Sequence, residues 1–231
     1  GGLMSITGYA HTPPTRSGAS LGDMSAALYT SFGIMVALFH RERNGEGQYI
    51  DVAMVDSIFS LLESNVMRYT VGNVIPERIG SRHPISSPFD VFKAKDDYLV
   101  IAVANEALFT KLCEAMGQPD LWQDQRFETD AKRTENEQAL KELIETWLSR
   151  YTVGEAVDLL NEYGIPCSPI LNIQSICEDE HIAQREMLVD IEQPGSGVFK
   201  VTGNPVKLSK TPARIKSHSP RLGEHTEQIL A

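Results

Sequence analysis

Residues 21–54 constrain the fold more than any other stretch of the chain. Leu21-Gly22-Asp23-Met24 reads as a turn, and from Ser25 to His40 apolar side chains fall nearly all round a helical wheel. Ala26, Leu28, Phe32, Ile34, Met35, Val36, Leu38 and Phe39 leave little polar face, which predicts a buried helix. Arg41 and Arg43 followed by Gly45 and Gly47 supply a C-terminal stop. Tyr49, Ile50, Val52, Ala53 and Met54 then read as a strand buried on both faces. A buried helix that feeds a buried strand through a glycine turn reads as mixed helix-and-strand structure, and an α/β fold is the expectation.

Asp23 stands at the mouth of that helix and admits two readings. As an N-cap it would accept backbone N–H bonds and contribute about 1 kcal/mol. As a nucleophile it would sit at the positive end of a helix dipole, open to close approach because Gly22 has no side chain. A carboxylate can attack a thioester and hold the acyl group as a mixed anhydride. The two roles do not exclude each other.

Composition narrows the function class. A chain of 231 residues can bury a core in one or two domains. Its formal net charge of −10 argues against a nucleic-acid or anionic-membrane surface. The best apolar run is interrupted by Ser31, Gly33 and His40, so no membrane span is expected, and nothing near Gly1 resembles a signal peptide. Cys113, Cys167 and Cys177 are odd in number and form no C-x-x-C pair, which predicts reduced thiols and a cytoplasmic location. The six histidines show neither H-E-x-x-H nor a Cys/His cluster, so no metal and no permanently bound cofactor are expected. No G-x-S-x-G occurs, and Gly45-Glu46-Gly47 follows a helix, the wrong order for a dinucleotide fingerprint.

Along the rest of the chain, a loop over 9–20 delivers Asp23, and helical spacing continues from Asp56 to Tyr69. Arg78 to Pro88 is a polar loop holding Gly80, Ser81, Arg82 and His83. Phe89–Phe92 and Tyr98–Ala104 read as paired strands, followed by a helix from Asn105-Glu106 to Met116. Trp122–Phe127 is a connection, Glu135–Ser149 an amphipathic helix, and Thr152 with Glu155 a capping box for the next helix. Residues 165–170 are extended and 172–179 a short helix. Val189–Glu192, Gly197–Val201 and Val206–Leu208 read as short strands. These textures divide the chain into 1–79, part of a large domain; 80–178, a small α+β domain; and 179–231, a return segment that packs on the large domain.

Four motifs in combination, Gly2-Leu3-Met4-Ser5-Ile6-Thr7-Gly8, Gly18 to Asp23, Arg43 to Met54, and Leu222-Gly223-Glu224-His225-Thr226, resemble class III CoA-transferases. That family includes formyl-CoA transferase, carnitine CoA-transferase and, as a relative, α-methylacyl-CoA racemase. The resemblance implies a partial large nucleotide-binding-type domain plus a small α+β domain, from a protein that forms interlocked homodimers when complete. It places Asp23 on the catalytic aspartate and Met54 near the CoA pocket. It also places Gly80, Ser81, Arg82 and His83 on a loop that covers the acyl intermediate. Acyl-CoA and a small carboxylic acid are the implied partners, with CoA as substrate. The loop holds one glycine where formyl-CoA transferase is glycine-rich, and its cations suit a dicarboxylate. Asn105 stands where a racemase would place a carboxylate, which ranks transferase above racemase. The chain enters directly on a motif at Gly1-Gly2, so it is expected to be the C-terminal part of a longer protein, inactive alone. The competing expectation is a non-catalytic interaction module.

Overall fold

The computed structural model describes residues 1–215 and 217–231. Four helices begin the chain: α1 (Leu3–Ile6), α2 (Leu21–Asn44), α3 (Met54–Ser60) and α4 (Glu63–Thr70). Gly45 ends α2 as expected, in a left-handed conformation at φ 76° that returns its N–H to Arg41 O at 2.8 Å. The expected burial of α2 is not met. Ser25 is its one buried residue, and Leu28 and Phe32 are each 70% exposed. An apolar wheel needs a partner on every side, and within this part of the chain α2 packs on α3, where Ser60 Oγ donates to Tyr29 Oη at 2.8 Å. By length and mean hydropathy (1.3 over its most apolar stretch) α2 is also large enough to cross a bilayer, Ser31, Gly33 and His40 notwithstanding.

The strand expected over 49–54 is absent. Ala53 is extended at φ −92° and ψ 138°, but residues 49–53 pair with no strand among the described residues, and Met54 opens a helix instead. A strand is defined by a ladder, and apolar sequence alone cannot supply the neighbour. The helix expected over 56–69 is likewise two helices. Leu61 and Leu62 donate to Ile58 O and Phe59 O, tight three-residue closures that end α3 before α4 starts.

The ordered core lies further on. Strands β1 (Phe89–Lys93), β2 (Tyr98–Ala102) and β3 (Cys167–Pro169) form an antiparallel sheet in that order, with Phe92 opposite Leu99 and Leu99 opposite Pro169. Between β2 and β3 run α5 (Glu106–Ala115), a single 3-10 turn (Leu121–Gln123), α6 (Asp130–Glu135), α7 (Glu137–Leu148) and α8 (Val153–Glu162). Phe92, Leu99 and Ile101 from the sheet meet Phe109, Leu112, Cys113, Leu140, Ile144, Leu148 and Leu160 from the helices in one buried cluster. Local signals start these helices. Asn105 Oδ1 accepts from Leu108 N at 2.9 Å, and Thr152 and Glu155 form the expected capping box. Helix α6 is too short for periodicity to reveal, although Thr129 caps it.

The chain divides by contact into two compact units, Gly1–Pro169 and Ile170–Ala231. The second holds α9 (Ile173–Cys177), α10 (Glu180–Gln184), the antiparallel hairpin β4 (Leu188–Gln193) and β5 (Gly197–Thr202), and α11 (Thr226–Leu230). Gly203 follows the hairpin where a Cβ would lie 2.3 Å from Glu186 O, so only glycine fits. The strand expected over 206–208 does not form, again for want of a paired neighbour among the described residues.

Candidate active site

The loop before α2 is held by its own hydrogen bonds. Thr15 N donates to Thr7 O at 3.1 Å, and Ser17 Oγ donates to Ala19 O at 2.9 Å. Ser20, not Asp23, occupies the N-cap position, and its side chain makes no capping bond. Asp23 is the third residue of the helix, so the expected cap role is not the one it plays. Its carboxylate is exposed and has no hydrogen-bond partner among the described residues.

The backbone donors at this end are unevenly used. Leu21 N donates to Ala19 O at 2.9 Å and Met24 N to Ser20 O at 3.0 Å. The N–H groups of Gly22 and Asp23 have no acceptor among the described residues. They belong to the partial positive charge of a 24-residue helix. A cavity of about 350 Å³ opens here, lined by Gly2, Met4, Ser5, Arg16, Ser20, Gly22, Asp23 and Ile58 among others. A Cβ added to Gly22 would meet only Ile58 Cγ1, at 3.9 Å, an ordinary contact. The fold does not need glycine at this position; a side chain there would occupy space beside Asp23.

The other expected site residues lie elsewhere. Met54 is the first residue of α3, 57% exposed, and does not line the Asp23 cavity. Gly80 donates its N–H to Gly8 O at 2.9 Å and lies at φ 74° against the Tyr9 ring, where a Cβ would approach Tyr9 Cε1 to 2.6 Å. Ser81 Oγ donates to Asp90, Arg82 Nη1 pairs with Glu137 Oε2 at 3.0 Å, and His83 stacks on Phe89 with centroids 5.1 Å apart. Ser81 and Arg82 line a second cavity of about 200 Å³ with Tyr9, Asp90, Glu137 and Lys141. The structure thus gathers Gly80–His83 at one place and Asp23 at another.

The base of that loop is pinned. Fully buried Arg133 donates from Nε to Ser87 O at 2.7 Å, and Asp130 Oδ1 accepts from Ser87 N at 3.0 Å. Both backbone polar groups of Ser87 are therefore held by α6. No group of three or more His, Cys, Asp or Glu side chains is placed to hold a metal among the described residues.

Arg16 was not legible as a site residue. It is the one basic side chain among the described residues that line the Asp23 cavity, and a lone arginine in a polar loop has no pattern to mark it. Its place in the loop that runs into Gly22-Asp23 was the available signal.

The model of a family described as CoA-transferase family III matches residues 1–226. A succinyl-CoA:mesaconate CoA-transferase from Haloarcula hispanica is 39% identical over 231 residues, covering 100% of this chain and 58% of its own length. A succinyl-CoA–D-citramalate CoA-transferase from Chloroflexus aurantiacus is 34% identical over 231 residues, with the same coverage of 100% and 58%. Among solved structures, a CAIB/BAIF family protein from Brucella suis matches with a TM-score of 0.81 at 30% identity, covering 100% of this chain and 60% of that one. The chain spans less than two thirds of the length of these relatives.

Proposed function

The chain belongs to CoA-transferase family III, and from that premise we propose that the protein moves CoA between carboxylic acids with Asp23 as nucleophile. One observation supports the assignment above the rest. Asp23 presents an unengaged carboxylate at a helix N-terminus, beside a glycine that the fold does not require and two backbone N–H groups without acceptors.

The steps follow from that chemistry. An Asp23 oxygen attacks the donor thioester carbonyl, the C–S bond breaks, and CoA leaves as the thiolate. The aspartyl anhydride is then attacked by the thiolate at the Asp23 carbonyl, which releases the donor acid and leaves an aspartyl-CoA thioester. The acceptor carboxylate attacks this thioester, again freeing thiolate and forming a second anhydride. Attack by thiolate on the acceptor's carbonyl gives the new acyl-CoA and restores Asp23. Negative charge builds on a carbonyl oxygen at every step, and the Gly22 and Asp23 N–H groups are assigned to stabilise it. Preorganised donors of this kind are worth roughly a hundred- to a thousandfold in kcat each.

The substrate class is proposed to be short dicarboxylic acids, to which succinate, mesaconate and citramalate all belong. Met54 is assigned to the CoA side of the site. Gly80–His83 are assigned to a loop that closes over the acyl group from its pinned base at Ser87. The complete protein is proposed to be a homodimer in which other protein surface covers α2. In the full-length protein, Asp23→Ala is expected to abolish transfer and Asp23→Asn to come close to doing so. The fold should survive both, since Asp23 makes no contact that a surface substitution would miss. Undiminished turnover in the alanine variant, measured by exchange of acid between free and CoA-bound pools, would refute the assignment.

A further inference from the structure

We propose that Arg16 reads the second carboxylate of a dicarboxylic acyl group held on Asp23, and so selects for dicarboxylic acids. This rests on Asp23 being the acyl-carrying residue. Arg16 lines the same cavity of about 350 Å³ as Asp23 and is its one basic side chain among the described residues. Its single polar contact is Nη2 to Ser20 Oγ at 3.4 Å, at the long limit of a hydrogen bond, and no carboxylate pairs with it among the described residues. Arg16 is exposed, as many cations of this chain are, and what sets it apart is that it lines the cavity into which Asp23 opens.

The two basic side chains among the described residues that line the loop's own cavity are already engaged. Arg82 is paired with Glu137 at 3.0 Å, and Lys141 with Asp90; both line the separate, smaller cavity. To reach a substrate, either must give up its carboxylate. Arg16 has only to leave a hydroxyl. A planar guanidinium can take a carboxylate through two parallel N–H bonds, which fixes both its distance and its orientation. A dicarboxylic chain anchored covalently at Asp23 would present such a group inside the cavity, whereas a monocarboxylic chain would leave Arg16 as it stands. The selectivity would therefore arise from attraction to one class, with no penalty built against the other.

The test uses the full-length protein with succinate and butyrate as acceptors from one common acyl-CoA donor. In a double-displacement scheme, kcat/KM for the acceptor reports only the second half-reaction, so the donor's own preference drops out. Arg16→Ala is expected to lower succinate kcat/KM about ten- to a hundredfold and butyrate less than about threefold, with Arg16→Lys restoring part of the loss. If butyrate turns over too slowly to read, the rates at which succinyl-CoA and butyryl-CoA acylate Asp23, trapped with hydroxylamine, give the same ratio. Equal loss on both acids would overturn the role of Arg16 while trapping still marks Asp23. Absence of any adduct at Asp23 in the unsubstituted protein would overturn the nucleophile and Arg16 together.

Discussion

At Gly22 stability and chemistry separate. The position is helical, an added Cβ meets nothing closer than 3.9 Å, and alanine is the better helix former by up to about 1 kcal/mol. Gly22→Ala is therefore expected to leave the denaturant midpoint unchanged or raised while lowering kcat/KM on the order of tenfold or more, because the methyl occupies space beside Asp23. Loss of stability with activity intact would contradict this. Cys113 gives a second residue-scale prediction. Burial pushes its thiol from 9.0 up to about 11, so the unfolded chain loses the proton first as pH rises. Its contribution to stability is fully present below pH 9.0 and is lost progressively toward pH about 11. Urea midpoints of the unsubstituted protein and Cys113→Ala, compared across that window, should converge on the alkaline side. At this scale the sequence singled out Asp23 as a candidate because a motif surrounds it. Arg16 stayed hidden because its meaning lies in which cavity it lines, which no local pattern encodes.

Element by element, legibility tracks how local the cause is. α5 and α8 were readable because Asn105 and the Thr152–Glu155 box satisfy helix ends within a few residues of themselves. The hairpin of β1 and β2 was readable from two short runs rich in aromatic and β-branched residues on either side of the Lys95-Asp96-Asp97 turn. Residues 49–53 and 206–208 failed because strand sequence without a ladder partner remains an extended loop. The Arg133–Ser87 link was also invisible, since it joins residues far apart in sequence. Arg133 is fully buried, its guanidinium lies 4.4 Å from the Phe109 ring centroid, and it holds Ser87 O and Phe127 O. Arg133→Ala leaves these carbonyls and Asp130 without their donor and should cost about 3–5 kcal/mol in urea unfolding. A cost within experimental error would show that water replaces the guanidinium. For the loop itself, Arg82→Ala is expected to leave the succinate-to-butyrate ratio within about threefold of unsubstituted protein, because Glu137 already holds the charge. A selective loss for succinate would return the distal-carboxylate role to Arg82.

At the scale of the molecule, the buried core is concentrated between Phe92 and Ile165, whereas α2 leaves most of its apolar length exposed. The chain spans 58% of the length of its succinyl-CoA:mesaconate relative. We propose that these residues hold only part of the CoA site. The isolated chain is expected to show no saturable calorimetric binding of CoA tighter than about 1 mM, near −4 kcal/mol. Micromolar affinity would mean that the site is complete on this chain. Transfer by the proposed route passes an oxygen atom through one carboxylate, that of Asp23. In the scheme above, the acceptor's attacking oxygen becomes the bridge of the second anhydride and remains on Asp23 when the new acyl-CoA departs. Full-length protein turning over with an 18O-labelled acceptor should therefore gain 18O in the peptide containing Asp23 and in no other. The label should appear in the released donor acid on later turnovers. Continued transfer with an unlabelled Asp23 peptide would contradict the account.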